Sequence, residues 1–208
     1  SEEGEKEYRA LWQRLGLSID WRYSYRTIDD FSIRTSQFSF LELYKKGLVY
    51  QREAPAIWCP ECHTALAQAD VDDLERQTEF IMLDFRLPDN TSLTIATTRP
   101  ELLPACVAIF VHPDDERYKR LINQEAIVPL YGRQVPILAD AKADPQKGTG
   151  AVMCCTFGDT ADVARWFIHK LPLVNAIGKD GRMTKASGML AGLPIEAARG
   201  YIKQALGN

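Results

Sequence analysis

Apolar residues recur at helical spacing in the first fifty residues of the chain. Two segments, residues 5–15 and 31–46, repeat apolar side chains three or four positions apart, which places those side chains on one face of a helix. Gly16 and Gly47 follow the two segments and favour a helix end at each place. The pattern therefore predicts two amphipathic helices. The apolar positions concerned are Tyr8, Leu11, Trp12 and Leu15 in the first segment, and Ile33, Phe38, Leu41 and Tyr44 in the second.

From residue 72 the pattern changes to short apolar and β-branched runs that are separated by Pro, Gly and Asp. Several such runs at short spacing predict a closed or nearly closed β-barrel. Helical patterns are also present, so the predicted fold class is α+β, a β-barrel with flanking helices. The strand-like runs cover residues 78–87, 92–98, 105–111, 126–132, 134–140 and 149–155, and the helical patterns cover 116–122, 160–170 and 193–206.

These changes in pattern divide the chain into three parts. Residues 1–71 are predicted to form a helical connecting segment that ends in a CxxC knuckle. Residues 72–185 are predicted to form the β-barrel, and residues 186–208 a C-terminal helical return segment. The length of 208 residues is enough for such a domain with appendages to bury a sizeable core.

Composition narrows the setting of the protein. The net charge of −3 gives no overall attraction to nucleic acid, so any RNA contact must use a local patch. No apolar run approaches the roughly 18 residues that a membrane span requires. The five cysteines are an odd number, and Cys154 and Cys155 are adjacent in a strand-like run, which favours reduced thiols. We expect a cytoplasmic monomer that has no membrane partner.

Cys59 and Cys62 form a CxxC pair within the sequence WCPEC. Two thiolates at this spacing can supply half of a tetrahedral zinc site. His63 is a poor third ligand because it is adjacent to Cys62. Two interpretations stay open at this stage, a knuckle that holds zinc and a knuckle without metal.

Two polar segments carry the candidate chemistry, residues 94–104 and 144–162. In the first, Thr97 and Arg99 would share one face of a strand, and Arg99 can form a bidentate contact with a carboxylate or phosphate. In the second, Asp159 and Asp162 follow a glycine-rich turn and a strand. The two aspartates are equally consistent with a substrate site and with the cap and first turn of a helix.

The sequence excludes several kinds of hydrolytic centre. The three histidines are scattered and form no Ser-His-Asp pattern. The GTG at residues 148–150 is not a phosphate loop, because neither GK[ST] nor GxGxxG follows. If the chain is an enzyme, the remaining hydrolytic option is a water molecule that carboxylates and threonines position.

Four motifs in order resemble the editing domain that is inserted in class I aminoacyl-tRNA synthetases for valine, isoleucine and leucine. They are TTRPE (97–101), VHPDDERY (111–118), GTGAV (148–152) and GDTAD (158–162). The resemblance is strongest to the valyl type, in its archaeal form. The HIGH and KMSKS signatures do not occur in these 208 residues, so the chain is not expected to activate amino acids. ATP would then be needed only by the full-length enzyme.

The resemblance implies hydrolysis of the aminoacyl ester of mischarged tRNA, with threonyl-tRNA for valine as the expected substrate. An apolar pocket rejects an added hydroxyl only weakly, and valyl enzymes are the standard example of this limit. The implied partner is the aminoacylated 3′ end of tRNA, and no cofactor is required for editing. The alternatives are an editing domain of the isoleucyl or leucyl enzyme and a non-catalytic tRNA-docking module.

The resemblance also implies roles for individual residues. Asp162 would hold the α-amino group of the substrate, Asp159 would bind the threonine hydroxyl, and Thr97 would line the pocket near the terminal adenosine. These three residues are the catalytic candidates. The chain departs from the bacterial valyl pattern at Leu102, Met153 and Gly158, which leaves the roles of these positions open. The further residues implied to contact substrate are Thr98, Arg99, Glu101, Thr149 and Thr156.

Overall fold

The computed structural model describes residues 2–72, 74–75 and 77–207. The chain forms two compact units, one up to Glu53 and one from Ala54 onward. This grouping differs from the predicted division at residues 71/72 and 185/186. It assigns both the CxxC knuckle and the C-terminal helix to the same unit as the strands.

The first unit contains two helices, α1 (Glu2–Arg14) and α2 (Asp30–Lys45). Asp29 caps α2, because its Oδ1 accepts a hydrogen bond of 2.7 Å from the backbone N–H of Ser32. The two predicted helices are thus confirmed, to within three residues at each end. Their apolar faces are largely exposed within the described residues, since neither helix buries a side chain.

The second unit begins with a small hairpin of β1 (Trp58–Cys59) and β2 (Thr64–Ala65). Its main feature is a six-stranded mixed sheet that curls until its two edge strands, β4 and β8, contact each other. The order of the strands is β4-β3-β6-β7-β5-β8, in which only β5 and β7 are parallel. The predicted α+β barrel is confirmed as a nearly closed one. Its strands are β3 (Ile81–Arg86), β4 (Ser92–Thr97), β5 (Cys106–Val111), β6 (Glu125–Ile127), β7 (Gln134–Ala139) and β8 (Val152–Cys155).

Burial explains the two kinds of apolar pattern in these strands. In β3 the side chains alternate between buried and exposed, as one face of a barrel strand requires. All six residues of β5 are buried, because this strand has a core on both sides. The larger core lies inside the barrel, and a smaller cluster around Phe110 lies on the other face of β5.

Two predicted elements are shorter than the sequence pattern suggested. The helix predicted over 116–122 is a single 3₁₀ turn, Lys119–Leu121. The strand predicted over 126–132 covers only Glu125–Ile127, since Leu130 and Gly132 adopt positive φ angles in the turn that follows. The two later helices, α3 (Thr160–His169) and α4 (Ile195–Ala205), lie where they were predicted.

The segment between β4 and β5 and the helix α4 pack together. This segment is a 3₁₀ helix, Pro100–Ala105, and all six of its residues are buried. It therefore holds the end of β4 and the start of β5 firmly against the C-terminal helix. None of the described helices is long and apolar enough to cross a bilayer.

Candidate functional site

A cleft of about 650 Å³ opens between the end of β4, strand β8, the first turn of α3 and the loop after β7. The two polar segments that the sequence singled out meet in this cleft. The polar residues that line it are Thr97, Thr98, Arg99, Lys142, Asp144, Lys147, Asp159, Asp162 and Arg165. The other lining residues include Phe80, Ala96, Leu102, Ala151, Met153, Cys155 and Gly158.

Asp159 and Asp162 are joined at the start of α3. The Oδ1 of Asp159 accepts a hydrogen bond of 2.8 Å from the backbone N–H of Asp162, so Asp159 is the N-cap of the helix. The carboxylate of Asp162 turns back toward β8, where its Oδ2 accepts from the N–H groups of Cys155 (3.1 Å) and Gly158 (3.2 Å). Helix capping and cleft lining are therefore combined in the same two residues.

Asp162 is nearly buried, with an exposed fraction of 6%. Burial raises the pKa of its carboxyl, and the negative charge of Asp159 adds to this rise. The hydrogen bonds from Cys155 N–H and from the Cys154 thiol oppose the rise, and so does the positive charge of Arg165. The Asp162 carboxyl group thus lies in the wall of the cleft. Both backbone hydrogen bonds are accepted by its Oδ2 and neither by its Oδ1.

Thr97 and Arg99 connect the two walls of the cleft. The hydroxyl of Thr97 accepts a hydrogen bond of 3.1 Å from Arg99 N–H, which shapes the bend before Pro100. The guanidinium of Arg99 donates from Nη1 to the backbone oxygen of Gly158 at 2.7 Å. Arg99 therefore ties the TTRPE segment to the turn that carries the aspartates.

Glu101, Thr149 and Thr156 were predicted to contact substrate, and the structure does not bring them into the cleft lining. Glu101 is fully buried and forms ion pairs with Arg99 and Arg199. The hydroxyl of Thr156 donates to Val174 O and accepts from Val174 N–H, at 3.0 and 2.9 Å. The side chains of Glu101 and Thr156 therefore make their contacts within the fold.

The three positions that depart from the bacterial pattern, Leu102, Met153 and Gly158, all line the cleft. Gly158 has a clear reason to lack a side chain. A Cβ at this position would lie 2.5 Å from Asp162 Oδ2 and 3.6 Å from Leu102 Cδ1. The position of the Asp162 carboxylate therefore depends on the glycine.

The sequence pattern did not single out four charged or aromatic residues that also line the cleft, Phe80, Lys142, Asp144 and Arg165. Arg165 could have been found, because it is three residues after Asp162 and so lies on the same face of α3. Phe80 lies outside any described strand, and the loop of residues 140–147 has no periodic pattern. Only the three-dimensional path of the chain brings these residues to the cleft.

The CxxC pair lies in the β1–β2 hairpin, away from the cleft lining. The backbone N–H of Cys62 donates to Cys59 Sγ at 3.3 Å, and this contact lowers the pKa of Cys59. The pKa of Cys62 is raised by its hydrogen bond to Cys59. Among the residues that the structure describes, no third His, Cys, Asp or Glu joins this pair to make a metal site. The donor set present here fits half of a tetrahedral zinc site.

Comparison with known proteins places this arrangement in a family. Residues 1–187 match the family model described as tRNA synthetases class I (I, L, M and V). The chain is 48% identical to the valine–tRNA ligase of Pyrococcus furiosus over 202 residues, which are 97% of this chain and 23% of that protein. It is 45% identical over 227 residues to the corresponding enzyme of Methanopyrus kandleri, where it covers 25% of the length. The valine–tRNA ligase of Rickettsia akari is 47% identical over 199 residues.

A solved structure supports the fold. The Agrobacterium radiobacter K84 agnB2 LeuRS, crystallised in a ternary complex with tRNA and LeuAMS, matches 99% of this chain and 35% of its own with a TM-score of 0.51. The sequence identity is 18%, so this match bears on the fold alone. The chain spans about a quarter of the length of the valine–tRNA ligases that it matches. Together the matched family model and the relatives show that the chain belongs to the class I tRNA synthetases for isoleucine, leucine, methionine and valine, with valine–tRNA ligases, archaeal ones among them, as its relatives.

Proposed function

We propose that this chain hydrolyses the ester bond of mischarged tRNA, with threonyl-tRNA for valine as the substrate. The observation that carries the proposal is the pair Asp159–Asp162 at the edge of a cleft of about 650 Å³. Such a volume is in the usual range for a small-molecule site. The identity to valine–tRNA ligases favours threonine over the misacylated amino acids of the isoleucine and leucine enzymes.

Asp162 is suited to hold the α-ammonium group of the aminoacyl ester. Its Oδ2 is occupied by two backbone N–H groups, which fix the orientation of the carboxylate. Its Oδ1 makes no backbone hydrogen bond and is 3.8 Å from Arg165 Nη1. A charge-assisted hydrogen bond at a nearly buried position is stronger than one at an exposed surface.

Asp159 is suited to bind the threonine hydroxyl. Its Oδ1 is occupied as the helix cap, while the side chain as a whole is exposed and lines the cleft. Valine, which has a methyl group in place of the hydroxyl, would leave this carboxylate without the hydrogen bond. Discrimination by such a loss is stronger than discrimination by size.

The reaction needs a water molecule and no covalent enzyme intermediate. Water adds to the ester carbonyl carbon, the bond between that carbon and the terminal ribose oxygen breaks, and the ribose hydroxyl leaves with the proton. Thr97 and the Asp159 carboxylate line the cleft where such a water would lie. Holding ester and water together accounts for the acceleration without a strong base.

The competing proposal is a non-catalytic tRNA-docking module. The cap bond from Asp159 to Asp162 N–H favours it, because helix capping alone would explain both aspartates. The hydrogen bond that Asp162 accepts from Cys155 N–H argues against capping as its only role, since Cys155 lies in β8 and not in α3.

The two proposals differ in a hydrolysis assay. We expect the chain to release threonine from threonyl-tRNA for valine, and Asp162→Asn to lower the rate by about a hundredfold, as the loss of a charged contact to the ammonium implies. Asp180→Asn, a change at an exposed turn outside the cleft lining, is the matched control and should keep the rate of the wild type. Hydrolysis at the background rate in both wild type and Asp162→Asn would leave only docking.

Other expectations stay part of the proposal. The partner is the aminoacylated 3′ end of tRNA, the chain acts as a monomer in the cytoplasm, and editing requires no cofactor. ATP belongs to the full-length enzyme. If zinc binds, Cys59 and Cys62 would hold it together with a second pair of ligands from elsewhere in the parent protein, and it would stabilise the hairpin.

A further inference from the structure

Arg165 is a nearly buried cation in a wall of the cleft. Its side chain is 9% exposed, and the ring of Phe110 lies beneath its guanidinium, with 5.0 Å from Cζ to the ring centroid. A cation placed between an aromatic ring and two carboxylates can move little. The two carboxylates belong to Asp140 and Asp162.

The contacts of Arg165 with these carboxylates differ. Its Nε donates to Asp140 Oδ2 at 2.7 Å, a short charge-assisted hydrogen bond. Its Nη1 is 3.8 Å from Asp162 Oδ1, too far for a hydrogen bond and close enough for a strong charge interaction. Asp140 thus anchors the guanidinium, and the guanidinium in turn faces Oδ1 of Asp162.

Asp140 is itself fixed at the end of β7. Its backbone N–H donates to Val111 O at 3.0 Å, and its Oδ1 accepts from Lys142 N–H at 2.9 Å. Although burial opposes its ionisation, the pKa of Asp140 is lowered by the hydrogen bonds from Lys142 N–H and Arg165. The anchor therefore keeps its negative charge, and the chain Asp140–Arg165–Asp162 joins the barrel to the first turn of α3.

We propose that Arg165, anchored by Asp140, is the positioning residue that holds the Asp162 carboxylate ionised and aimed into the cleft, a role that rests on the proposed hydrolysis. Arg165 does not need to touch the substrate for this role. A carboxylate that must bind an ammonium group has to be charged, and burial works against that charge at Asp162. Among the described residues, the guanidinium of Arg165 is the positive charge that forms an ion pair with Asp162 Oδ1.

Other groups also act on Asp162, and none replaces Arg165. Asp159 disfavours a second negative charge, and the Cys154 thiol favours the charge of Asp162 through a hydrogen bond but carries no positive charge itself. Arg99 uses its guanidinium to contact Gly158 O and Glu101. Lys142, Asp144 and Lys147 lie on the exposed loop at the mouth of the cleft. The titratable groups that surround Asp162, besides Arg165 and these three, are Asp159, Asp140, Arg99, Cys106, Cys154 and Cys155.

The test is the pH dependence of hydrolysis of threonyl-tRNA for valine, measured as kcat/KM between pH 4.5 and 8. Removal of the positive charge in Arg165→Met makes the protonated form of Asp162 more favourable, so the acidic limb of the profile should move upward by about one pH unit. At pH values below the limb, Arg165→Met should therefore be about tenfold slower than the wild type. At pH values above the limb, its rate should stay within about threefold of the wild-type rate. Arg165→Lys restores the charge and should return the limb to within about half a unit.

Controls separate this inference from folding and from the proposed function. Arg34→Met removes the same charge from an exposed site in α2 and should leave the profile unchanged. Since Arg165→Met leaves Asp140 unpaired, the double variant Arg165→Met/Asp140→Asn is the second neutral variant, and the limb should move upward in it as well. Circular dichroism checks that each variant is folded.

Two results would overturn the inference, and a third would show instead that the proposed function is wrong. An Asp162-dependent activity whose acidic limb is the same in wild type and in both neutral variants overturns it. Loss of activity at every pH in Arg165→Lys, with the fold intact, overturns it as well. If wild type shows no Asp162-dependent hydrolysis, the proposed function fails, and a ¹³C NMR titration of the Asp162 carboxyl carbon then decides whether Arg165→Met raises its midpoint.

Discussion

At the scale of a residue, the position of the Asp162 carboxylate depends on the absence of a side chain at Gly158. Its N–H donates to Asp162 Oδ2, its carbonyl accepts from Arg99, and a Cβ would collide with the same Oδ2 at 2.5 Å. Because its φ angle is not positive, the reason for glycine here is space and not backbone conformation.

We predict that Gly158→Ala displaces the Asp162 carboxylate. Hydrolysis of threonyl-tRNA should fall by at least about tenfold, since a shift of this size in a positioned group is costly, and the free energy of unfolding should fall by about 1–3 kcal/mol. Gly200→Ala is the matched control, because a Cβ there meets no atom within 4 Å and the residue lies in α4. It should leave the rate unchanged and stabilise the helix by up to about 1 kcal/mol.

Glu101 is the second residue whose role the structure redefines. Its carboxylate, with 0% of the side chain exposed, receives Arg199 through Nε and Nη2 at 3.1 Å each, and Arg99 Nε at 3.2 Å. The pairing links the TTRPE segment to α4. The glutamate of this motif is therefore a structural residue in this chain.

We predict that Glu101→Gln lowers the free energy of unfolding by about 2–3 kcal/mol, measured with urea. This is less than the cost for a wholly buried pair, because the side chains of Arg99 and Arg199 keep 41% and 34% of their exposure. Glu196 is another partner of Arg199: its side chain is 76% exposed, and its Oε2 is 3.9 Å from Arg199 Nη1. Glu196→Gln should change the free energy of unfolding by no more than about 0.5 kcal/mol. Equal effects of the two variants would contradict the structural role.

At the scale of elements, helix α3 combines a cap and a candidate binding site in its first turn. The sequence alone left these two roles of Asp159 and Asp162 equally open, because both are consistent with the same spacing. The structure adds the Cys155 and Gly158 contacts of Asp162, which belong to neither a cap nor an ordinary helix. Asparagine can separate the roles, since it caps helices about as well as aspartate.

We predict that Asp159→Asn keeps the stability of the wild type to within about 0.5 kcal/mol, whereas Asp159→Ala loses about 1 kcal/mol. Hydrolysis of threonyl-tRNA should fall about five- to tenfold in Asp159→Asn, because a hydrogen bond to a neutral acceptor is weaker than one to a charged acceptor. Urea unfolding and single-turnover deacylation measure the two effects. An unchanged rate in Asp159→Asn would assign Asp159 to the cap alone.

The β1–β2 hairpin carries the two candidate zinc ligands, Cys59 and Cys62. Its two thiols would supply two of the four ligands that a structural zinc site uses. We predict that this chain loses zinc on dialysis against EDTA, with the metal content measured by atomic emission and Cys59→Ser/Cys62→Ser as the blank. One zinc ion per chain that survives the chelator would contradict a half site.

Most helices and strands could be predicted from the sequence, because each has a hydrophobic pattern within its own residues. Helices α1 to α4 and the strands β3, β4, β5, β7 and β8 each carry a strong periodic or apolar pattern of their own. The errors fall where the pattern is short, as in Glu125–Ile127 and the 3₁₀ turn Lys119–Leu121. Residues with positive φ angles follow both elements, Asn123 after the 3₁₀ turn and Leu130 and Gly132 after the strand.

At the scale of the whole molecule, the site depends on the path of the chain. The two walls of the cleft are about fifty residues apart in sequence, and the curled sheet brings β4 and β8 together. The resemblance carried by the order of the motifs predicts that the segments 94–104 and 144–162 belong to one site. It could not show that Glu101 and Thr156 face away from the cleft, or that Phe80 and Arg165 face it, since these directions depend on packing.

The central claim is that the cleft distinguishes threonine from valine on the same tRNA. The most direct test is the ratio of single-turnover deacylation rates for threonyl- and valyl-tRNA for valine, with the chain in excess and the spontaneous rate subtracted. We predict a ratio of at least about one hundred in favour of threonine, because valine leaves a polar group of the cleft unpaired. Equal rates for the two esters, or rates at the spontaneous level for both, would contradict the claim.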